Sequence, residues 1–230
     1  MSHNYYIKIG GSLMSDLFRL DEFLTKLTSI FGSSLIINVG SGYIGEAYKR
    51  LVTETYKVNM PYIQSVQNWA MIQLINANII SAMNPNYIIA SSEENIEKIL
   101  KNGKNVIIDP VFYSNELSIQ GLNTSDLKAA YLCNKLKCDS LIIFTDVDGV
   151  YTSNPKLDAT ARKISVMTPE QLGLLESSCL DNGIEKLLSS YHLTCHVLGI
   201  EEFLDDCVAG IDDVYSCGTA VVEDISYEKN

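Results

Sequence analysis

The stretch from Leu141 to Tyr151 reads LIIFTDVDGVY and decides the fold. Its first half is an apolar run of strand length, which predicts a buried strand. The Asp-Val-Asp-Gly segment that follows favours a turn, because an Asp-Gly pair readily adopts positive φ. Ligands of open α/β sheets bind outside the carboxyl ends of the strands, so a nucleotide could bind at this turn. A hairpin turn with no ligand is the alternative interpretation.

Short apolar runs alternate with helix-length amphipathic segments on both sides of this stretch. The runs are too apolar for a sheet with one face in water, so they predict a mostly parallel sheet covered by helices on both faces. We therefore expect an α/β fold, a three-layer α/β/α sandwich, formed by residues 1–230 as a single domain. The predicted strands are Tyr5–Ile9, Ser34–Val39, Asn86–Ala90, Asn105–Ile108, Ser140–Phe144, Thr194–Leu198 and Gly218–Val222.

Composition excludes several classes of protein. The 230 residues carry a net charge of -11, which argues against binding to nucleic acid because a phosphate backbone would be repelled. The six cysteines form no C-x-x-C pair and read as reduced thiols. With no signal-like N-terminus and no apolar run long enough to span a bilayer, we expect a cytoplasmic protein without a membrane partner. His192 and His196 are not expected to bind a metal, and no metal site made of protein side chains is predicted.

The first glycine loop follows the first predicted strand, in the run Lys8-Ile9-Gly10-Gly11-Ser12. Two glycines let the backbone approach a ligand closely, and the helix start that follows offers free N–H groups to a phosphate. The spacing is not that of a Walker loop. A tight strand-to-helix turn with an incidental lysine is an equally acceptable interpretation of the residues alone.

The second glycine loop, Gly40-Ser41-Gly42, follows the second predicted strand, and Gly45 completes the pattern G-S-G-x-x-G. This pattern superficially suggests a dinucleotide-dependent oxidoreductase, but no acidic residue follows at the end of a later strand to bind a ribose. Two glycine loops at consecutive strand ends instead indicate two anionic groups held near each other.

A third segment, Asn123-Thr124-Ser125-Asp126, is expected to begin a helix with Ser125 as its N-cap. Asp126 could simply complement the helix dipole. The functional alternative is a carboxylate that orients lysines around a transferring phosphoryl group.

Taken together, these segments resemble the amino acid kinase superfamily, which includes aspartokinases, acetylglutamate kinases, bacterial UMP kinases and isopentenyl phosphate kinases. The resemblance is carried by Lys8–Ser12, Gly40–Gly42, Asn123–Asp126 and the run T-D-V-D-G-V-Y-x-x-N-P-K, in that order along nearly the whole chain. It implies an ATP- and Mg²⁺-dependent kinase that phosphorylates a small anionic acceptor. It also implies an N-terminal acceptor half, about residues 1–120, and a C-terminal nucleotide half, about residues 121–230.

The resemblance also implies roles for individual residues. Lys8 would stabilise the transferring phosphoryl group and Asp126 would organise the lysines around it. The acceptor would be bound by Gly40, Ser41, Gly42, Asn123 and Ser125. The nucleotide would be bound by Gly10, Gly11, Ser12, Thr145, Asp146, Gly149, Val150, Tyr151, Asn154 and Lys156. The segment that supplies a second lysine in several members is one residue short here, where Lys186 is the candidate and Lys156 or Lys163 could substitute.

The segment Ser178–Asp181, with Leu187 and Leu188, is similar to archaeal and methylotroph kinases of the aminomethylfuran phosphate kinase type. That similarity makes a phosphomonoester such as aminomethylfuran phosphate the expected acceptor. A UMP kinase or a carboxylate (amino acid) kinase is the alternative, and a non-enzymatic protein that stores nucleotide or metal oxyanions is an alternative of another class. The long apolar segment Met60–Ala82 is expected to be a buried helix or the interface of a homo-oligomer.

Overall fold

The computed structural model describes residues 5–33, 35–205 and 208–225. The chain forms two compact units. The first unit comprises Ile9–Thr28 and Gly32–Asn123, and the second unit comprises the described parts of Met1–Lys8, Ser29–Phe31 and Thr124–Asn230. The mostly parallel strands within each unit, with the helices that accompany them, confirm the predicted α/β fold class.

The described residues form the following strands and helices. The strands are β1 (Tyr5–Ile9), β2 (Ile36–Val39), β3 (Tyr87–Ala90), β4 (Asn105–Ile108), β5 (Ser140–Thr145), β6 (Val150–Tyr151), β7 (Lys163–Ile164), β8 (Val166–Met167), β9 (Cys195–Gly199) and β10 (Thr219–Val221). The α-helices are α1 (Leu17–Phe31), α2 (Gly42–Arg50), α3 (Tyr62–Met83), α4 (Glu93–Lys101), α5 (Pro110–Ile119), α6 (Ser125–Lys135), α7 (Pro169–Gly173), α8 (Ile184–Tyr191), α9 (Ile200–Leu204) and α10 (Ile211–Ser216). A 3₁₀ turn spans Gly11–Ser15 and a π-helical turn spans Leu51–Thr55.

In the first unit, β3, β4 and β2 lie side by side in that order and run parallel. Val106 of β4 pairs with Ile36 on one side and with Ile88 on the other. Every residue of β2 and β4 is buried, as expected for strands covered on both faces. The parallel register brings the carboxyl end of β2, where the second glycine loop begins, to the same edge as the ends of its neighbours.

In the second unit, β5 pairs with β9 in parallel from Leu141 to Thr145. β10 runs antiparallel to β9 and parallel to β8. The short β6 and β7 form a separate antiparallel pair just after the acidic turn, with Val150 opposite Ile164. The turn predicted after β5 is therefore held by a small hairpin outside the main sheet.

Helix α3 is buried on one side and exposed on the other. Among its buried residues are two polar ones, Gln73 and Asn76. Large apolar side chains lie on its exposed surface, namely Tyr62, Ile63, Met71 and Ile75. Among the described residues, no helix is both long enough and apolar enough to cross a membrane. Five cysteines are free thiols, at positions 133, 138, 179, 195 and 217, while the sixth, Cys207, lies outside the described residues.

Candidate active site

The two glycine loops of the first unit lie against each other through their backbones. Gly40 donates its N–H to the carbonyl of Ile9 at 3.0 Å. A Cβ placed on Gly40 would lie 2.8 Å from the nitrogen of Gly11, and a Cβ on Gly11 or on Gly42 would overlap the backbone of the other residue. Gly42 also has a φ of 55°, a conformation that L side chains rarely adopt. Glycine is therefore required at these positions by the contact between the loops.

Asn76 of α3 holds the second glycine loop through two hydrogen bonds. Its side-chain amide donates to the carbonyl oxygen of Gly40 at 2.8 Å and to that of Ser41 at 3.1 Å, and the residue is only 1% exposed. A buried amide with both bonds made to one loop holds that loop in a single conformation. Sequence reasoning missed Asn76 because it read α3 as an apolar packing helix. A polar residue within an otherwise apolar helix was the sequence feature that could have indicated a hydrogen-bonding role for Asn76.

Gly45, the last glycine of G-S-G-x-x-G, is explained by helix packing. A Cβ at this position would lie 2.6 Å from the Trp69 ring and 2.4 Å from the Ser41 Oγ. The Trp69 ring of α3 also meets Tyr48 edge to face, with 5.7 Å between the ring centroids. The spacing that resembled a dinucleotide fingerprint thus has a structural cause, the close approach of α2 to α3.

A buried charge cluster occupies the second unit, where Lys8 of β1 meets the start of α6. The Lys8 Nζ lies 2.9 Å from Asp126 Oδ1, and the two side chains are 12% and 3% exposed. Asp126 Oδ2 accepts the backbone N–H of Asp181 at 3.0 Å, and Asp181 Oδ2 accepts the backbone N–H of Asp126 at 3.0 Å. The two aspartates therefore hold each other in place while Asp126 holds the lysine.

Burial raises the pKa of Asp126, and the Lys8 ammonium opposes that rise while the nearby Asp181 carboxylate adds to it. Separating a buried lysine from its carboxylate would leave an uncompensated charge away from water, which would strongly destabilise the folded protein. The result is a lysine with a fixed direction and a carboxylate that anchors it. The predicted pairing of Lys8 with Asp126 is present in the structure, and Asp181 is a member of the cluster that the sequence analysis did not single out.

A cavity of about 160 Å³ lies beside the acidic turn after β5. Five of the residues predicted to bind the nucleotide line it: Asp146, Gly149, Tyr151, Asn154 and Lys156. The remaining lining comes from Val147, Ser153, Pro155 and Ser177–Cys179. Two other predicted residues, Thr145 at the end of β5 and Val150, are buried and do not line the cavity.

The two carboxylates of the turn are both held by lysines. Lys156 Nζ donates to Asp146 Oδ2 at 2.6 Å, and this hydrogen bond lowers the pKa of Asp146. Asp148 accepts from the Tyr151 hydroxyl at 2.7 Å and pairs with Lys163 at 3.1 Å. Burial acts to raise the pKa of Asp148, but these two partners outweigh it and the pKa is lowered. The turn is therefore a network of ionised groups at neutral pH.

Thr219 of β10 links the acidic turn to the segment that contains β7 through two hydrogen bonds. Its hydroxyl accepts the N–H of Val150 at 2.7 Å and donates to the carbonyl of Ile164 at 2.5 Å. Gly149 has a φ of 144°, and a Cβ there would lie 2.7 Å from that hydroxyl. The positive φ predicted for the Asp-Gly pair is present, while the supporting threonine lies 69 residues away and had no local signal.

Cys179 lines the cavity but is not an activated thiol. Burial raises its pKa to about 11, and the nearby Asp126 carboxylate acts in the same direction. Its Sγ donates to the carbonyl oxygen of Gly149 at 3.5 Å. A thiol with a raised pKa is a poor nucleophile, so Cys179 contributes shape to the cavity.

Several predicted residues lie elsewhere. Lys186 is exposed on α8 and makes no ion pair with the residues that the structure describes. Asn123 is exposed and accepts a hydrogen bond from the Tyr62 hydroxyl. Ser125 is the first residue of α6, so the expected N-cap role was wrong: Thr124 is the N-cap, because its backbone is still extended.

Within the described residues, no group of three or more His, Cys, Asp and Glu side chains could hold a metal ion. This donor set does not form a dedicated cage. In proteins, Mg²⁺ commonly binds through substrate phosphates, water and one or two carboxylates, so its binding does not require such a group of side chains.

A model of the amino acid kinase family matches residues 7–193. The chain belongs to the amino acid kinase family. It is 26% identical over 172 residues to the uridylate kinase of Methanocorpusculum labreanum, a match that covers 72% of this chain and 69% of the relative. It is also 26% identical over 158 residues to the aspartate kinase of Pseudomonas putida, over 65% of this chain and 38% of that protein.

The solved structure of the uridylate kinase from Archaeoglobus fulgidus has the same fold. It superposes with a TM-score of 0.74 at 21% identity, over 95% of this chain and 99% of that one. As a member of the amino acid kinase family, the chain is an ATP-dependent kinase, and its similarity to uridylate kinases extends over most of its length.

Proposed function

We propose that this kinase transfers the γ-phosphoryl group of ATP to a small phosphomonoester, with UMP as the first candidate acceptor. The observation that carries the proposal is the buried Lys8–Asp126–Asp181 cluster, which fixes one ammonium group in a direction set by two carboxylates. Similarity to uridylate kinases over most of the chain supports a nucleoside monophosphate as acceptor.

The proposed chemistry needs no general base. A phosphomonoester is already ionised at neutral pH, so its oxygen can attack the γ-phosphorus without losing a proton. Charge spreads over the transferring group in the transition state, and catalysis consists of positioning and charge stabilisation. We propose that Lys8 supplies the stabilising positive charge. Asp126 orients the Lys8 ammonium, and Asp181 holds Asp126 in position.

The glycine loops supply the second part of the proposal. Backbone N–H groups that point into a loop cradle phosphate oxygens without bringing a side chain into the way. We assign Gly10–Ser12 to the phosphates of ATP and Gly40–Gly42 to the acceptor, with Asn123 and Ser125 as further acceptor contacts. On this assignment the first unit contributes both glycine loops and Asn123, and the second unit contributes Ser125.

The cavity beside the acidic turn is the proposed site for the nucleoside of ATP. Its mixed lining suits a base and a ribose, and Asp146, Tyr151 and Asn154 supply polar groups around it. Mg²⁺ would arrive bound to the phosphates of ATP, where it would neutralise their charge. Lys186, exposed on α8, remains a candidate for the second lysine.

Aminomethylfuran phosphate is the second candidate acceptor. The segment Ser178–Asp181, which carries the similarity to that type of kinase, supplies Asp181 to the charge cluster. A short segment of this kind says less about the acceptor than a similarity over most of the chain, so UMP stands first.

We also propose that the protein forms a homo-oligomer through α3. The large apolar side chains of Tyr62, Ile63 and Met71 lie half-exposed on one helix, an arrangement common at interfaces between subunits. Light scattering coupled to size-exclusion chromatography tests this proposal: a mass of 25.5 kDa would be a monomer and would contradict it.

A coupled assay of ADP release with Mg-ATP tests the acceptor. The panel consists of UMP, aminomethylfuran phosphate, isopentenyl phosphate, acetylglutamate and aspartate. We expect turnover with UMP above the rate of ATP hydrolysis without acceptor. Turnover with a carboxylate acceptor alone would overturn the phosphomonoester assignment. Nucleotide binding by calorimetry without ADP release on any acceptor would favour a storage protein.

A further inference from the structure

Lys163 of β7 binds two carboxylates at once. Its Nζ lies 3.1 Å from Asp148 Oδ2 in the acidic turn and 3.1 Å from Glu202 Oε1 of α9. The side chains of Lys163 and Glu202 are 31% and 24% exposed, so water and salt screen this pair less than a pair at the open surface. Burial acts to lower the pKa of Lys163, but the hydrogen bonds to Glu202 and Asp148 outweigh it and the pKa is raised. The ammonium is therefore charged at neutral pH and is held between two anions.

The sheet brings α9 to the acidic turn. Thr145 at the end of β5 pairs with Gly199 at the end of β9, and Gly199 is the N-cap of α9. A Cβ on Gly199 would lie 2.8 Å from the Cα of Asp148, so glycine is needed for the start of α9 to approach the turn this closely. Glu202 lies in the first turn of α9. Its place beside the acidic turn is therefore set by the strand pairing.

The same ion pairs extend to Tyr151, which lines the cavity beside the acidic turn. Tyr151 lies opposite Lys163 in the β6–β7 pair. Its hydroxyl donates to Asp148 Oδ1 at 2.7 Å, while Lys163 holds Oδ2 of the same carboxylate. An ionised carboxylate only accepts hydrogen bonds, so the Tyr151 hydroxyl proton is directed at Asp148. The aromatic side chain is therefore held at its backbone by the hairpin and at its hydroxyl by Asp148.

Stability does not explain the Glu202 carboxylate well. Its second oxygen, Oε2, is buried and accepts no hydrogen bond from the described part of the chain. A buried oxygen without a donor loses its hydration and gains no partner in return, which offsets the attraction between Oε1 and Lys163. The carboxylate is better explained by what it positions.

We propose that Glu202 is a positioning residue for the cavity beside the acidic turn. Glu202 restrains the Lys163 ammonium, Lys163 restrains the Asp148 carboxylate, and Asp148 fixes the Tyr151 ring at the cavity wall. Lysine has a long and flexible side chain, so a second carboxylate restricts it further than one carboxylate could. A preorganised aromatic wall favours a flat aromatic group such as the base of a nucleotide. That the ligand is the nucleoside of ATP rests on the proposed function.

Calorimetric titration of the full chain with Mg-ADP tests the role of Glu202, because ADP cannot donate a γ-phosphoryl group. Glu202→Gln keeps the shape of the side chain and removes its charge, and we expect it to weaken binding about 3- to 5-fold. The matched control is Glu170→Gln, the same change at an exposed glutamate in the first turn of α7, which should bind as the unaltered chain does. Unchanged affinity in Glu202→Gln would overturn the proposal, as would a loss of stability in urea denaturation without a loss of affinity.

A double-mutant cycle with Tyr151→Phe tests the route through the hydroxyl. Tyr151→Phe keeps the ring and removes the hydroxyl that Asp148 holds, and we expect it to weaken Mg-ADP binding about 5- to 10-fold. Because Glu202 acts through that hydroxyl, the double variant Tyr151→Phe/Glu202→Gln should bind as weakly as Tyr151→Phe alone. Losses that multiply in the double variant would show a different route and overturn the proposal.

Kinase assays separate this inference from the proposed function. With UMP and Mg-ATP, we expect Glu202→Gln to raise KM for ATP about 3- to 5-fold and to leave kcat and KM for UMP unchanged. A fall in kcat at unchanged KM for ATP would contradict a role in positioning the nucleotide. If the unaltered chain binds Mg-ADP but phosphorylates no acceptor, the proposed function fails, and the expected losses of ADP affinity would still support the role of Glu202. If the unaltered chain does not bind Mg-ADP, both fail.

Discussion

The glycine loops consist of closely packed backbone, whereas the Lys8–Asp126–Asp181 cluster consists of charged side chains. The loops of the first unit are made of backbone, with Gly11, Gly40 and Gly42 packed so closely that a methyl group would not fit. The cluster of the second unit is made of charged side chains buried from water, with Lys8 held by Asp126. We therefore expect added side-chain volume to disturb the loops and loss of charge to disturb the cluster.

The largest effect is expected from Lys8→Ala, which removes the charge assigned to the transition state. We expect kcat to fall by about 100- to 1000-fold, the size seen when a preorganised stabilising group is removed. Steady-state assays of ADP release measure it. Because Asp126 would be left buried and unpaired, the double variant Lys8→Ala/Asp126→Asn serves as a folding control by circular dichroism. A folded Lys8→Ala enzyme with unchanged kcat would break the comparison.

Gly42→Ala tests the volume side of the comparison. The new methyl group would overlap the backbone of Gly11 at a φ of 55°, so we expect the free energy of unfolding to fall by about 3 kcal/mol. The matched control is Gly121→Ala, where φ is 73° and nothing lies within 4 Å, so only the conformational strain of about 1 kcal/mol remains. Urea denaturation measures both, and equal losses would show that the loops are not closely packed.

Asp181 acts on catalysis through Asp126, so its replacement should have a smaller effect. We expect Asp181→Ala to lower kcat by about 10-fold with little change in KM, because the loss of one positioning hydrogen bond leaves Lys8 and Asp126 present but less ordered. Asp181→Asn keeps an oxygen that can accept the Asp126 N–H and should recover part of the rate. A change in KM alone would indicate a role in binding instead.

The smallest effect is expected from Lys156→Met at the rim of the cavity. The Lys156–Asp146 pair is more than half exposed, and such pairs contribute little. We expect KM for ATP to rise about threefold and kcat to stay unchanged, with the pKa of Asp146 returning toward its ordinary range. Lys101→Met, which breaks the exposed pair with Glu97 on α4, is the control. A fall in kcat comparable to that of Lys8→Ala would place Lys156 at the transferring group.

The fold could be predicted from the sequence because its strands are short, apolar and separated by helix-length segments. The prediction matched β1 and β4 to the residue. It missed α5, which begins with Asp109 as N-cap and Pro110 as first residue, because the apolar residues of that helix follow no helical period. It also missed the hairpin of β6 and β7, whose two-residue strands are too short to show alternation.

The parts of the candidate site that are contiguous in sequence could be predicted, whereas the contacts between residues far apart in sequence could not. The glycine loops and the acidic turn are contiguous motifs. By contrast, Asn76 contacts Gly40 across 36 residues, and Asp181 contacts Asp126 across 55 residues. Such partners are set by tertiary packing, so no spacing rule could have found them.

A single-turnover reaction tests the central claim most directly. Enzyme in excess over γ-labelled ATP is mixed with Mg²⁺ and UMP, quenched on the millisecond scale and analysed for labelled UDP. The account predicts rapid formation of labelled UDP by the unaltered chain and formation slower by about 100-fold or more with Lys8→Ala. Bound ATP without any labelled UDP, or equal rates for the two proteins, would contradict it.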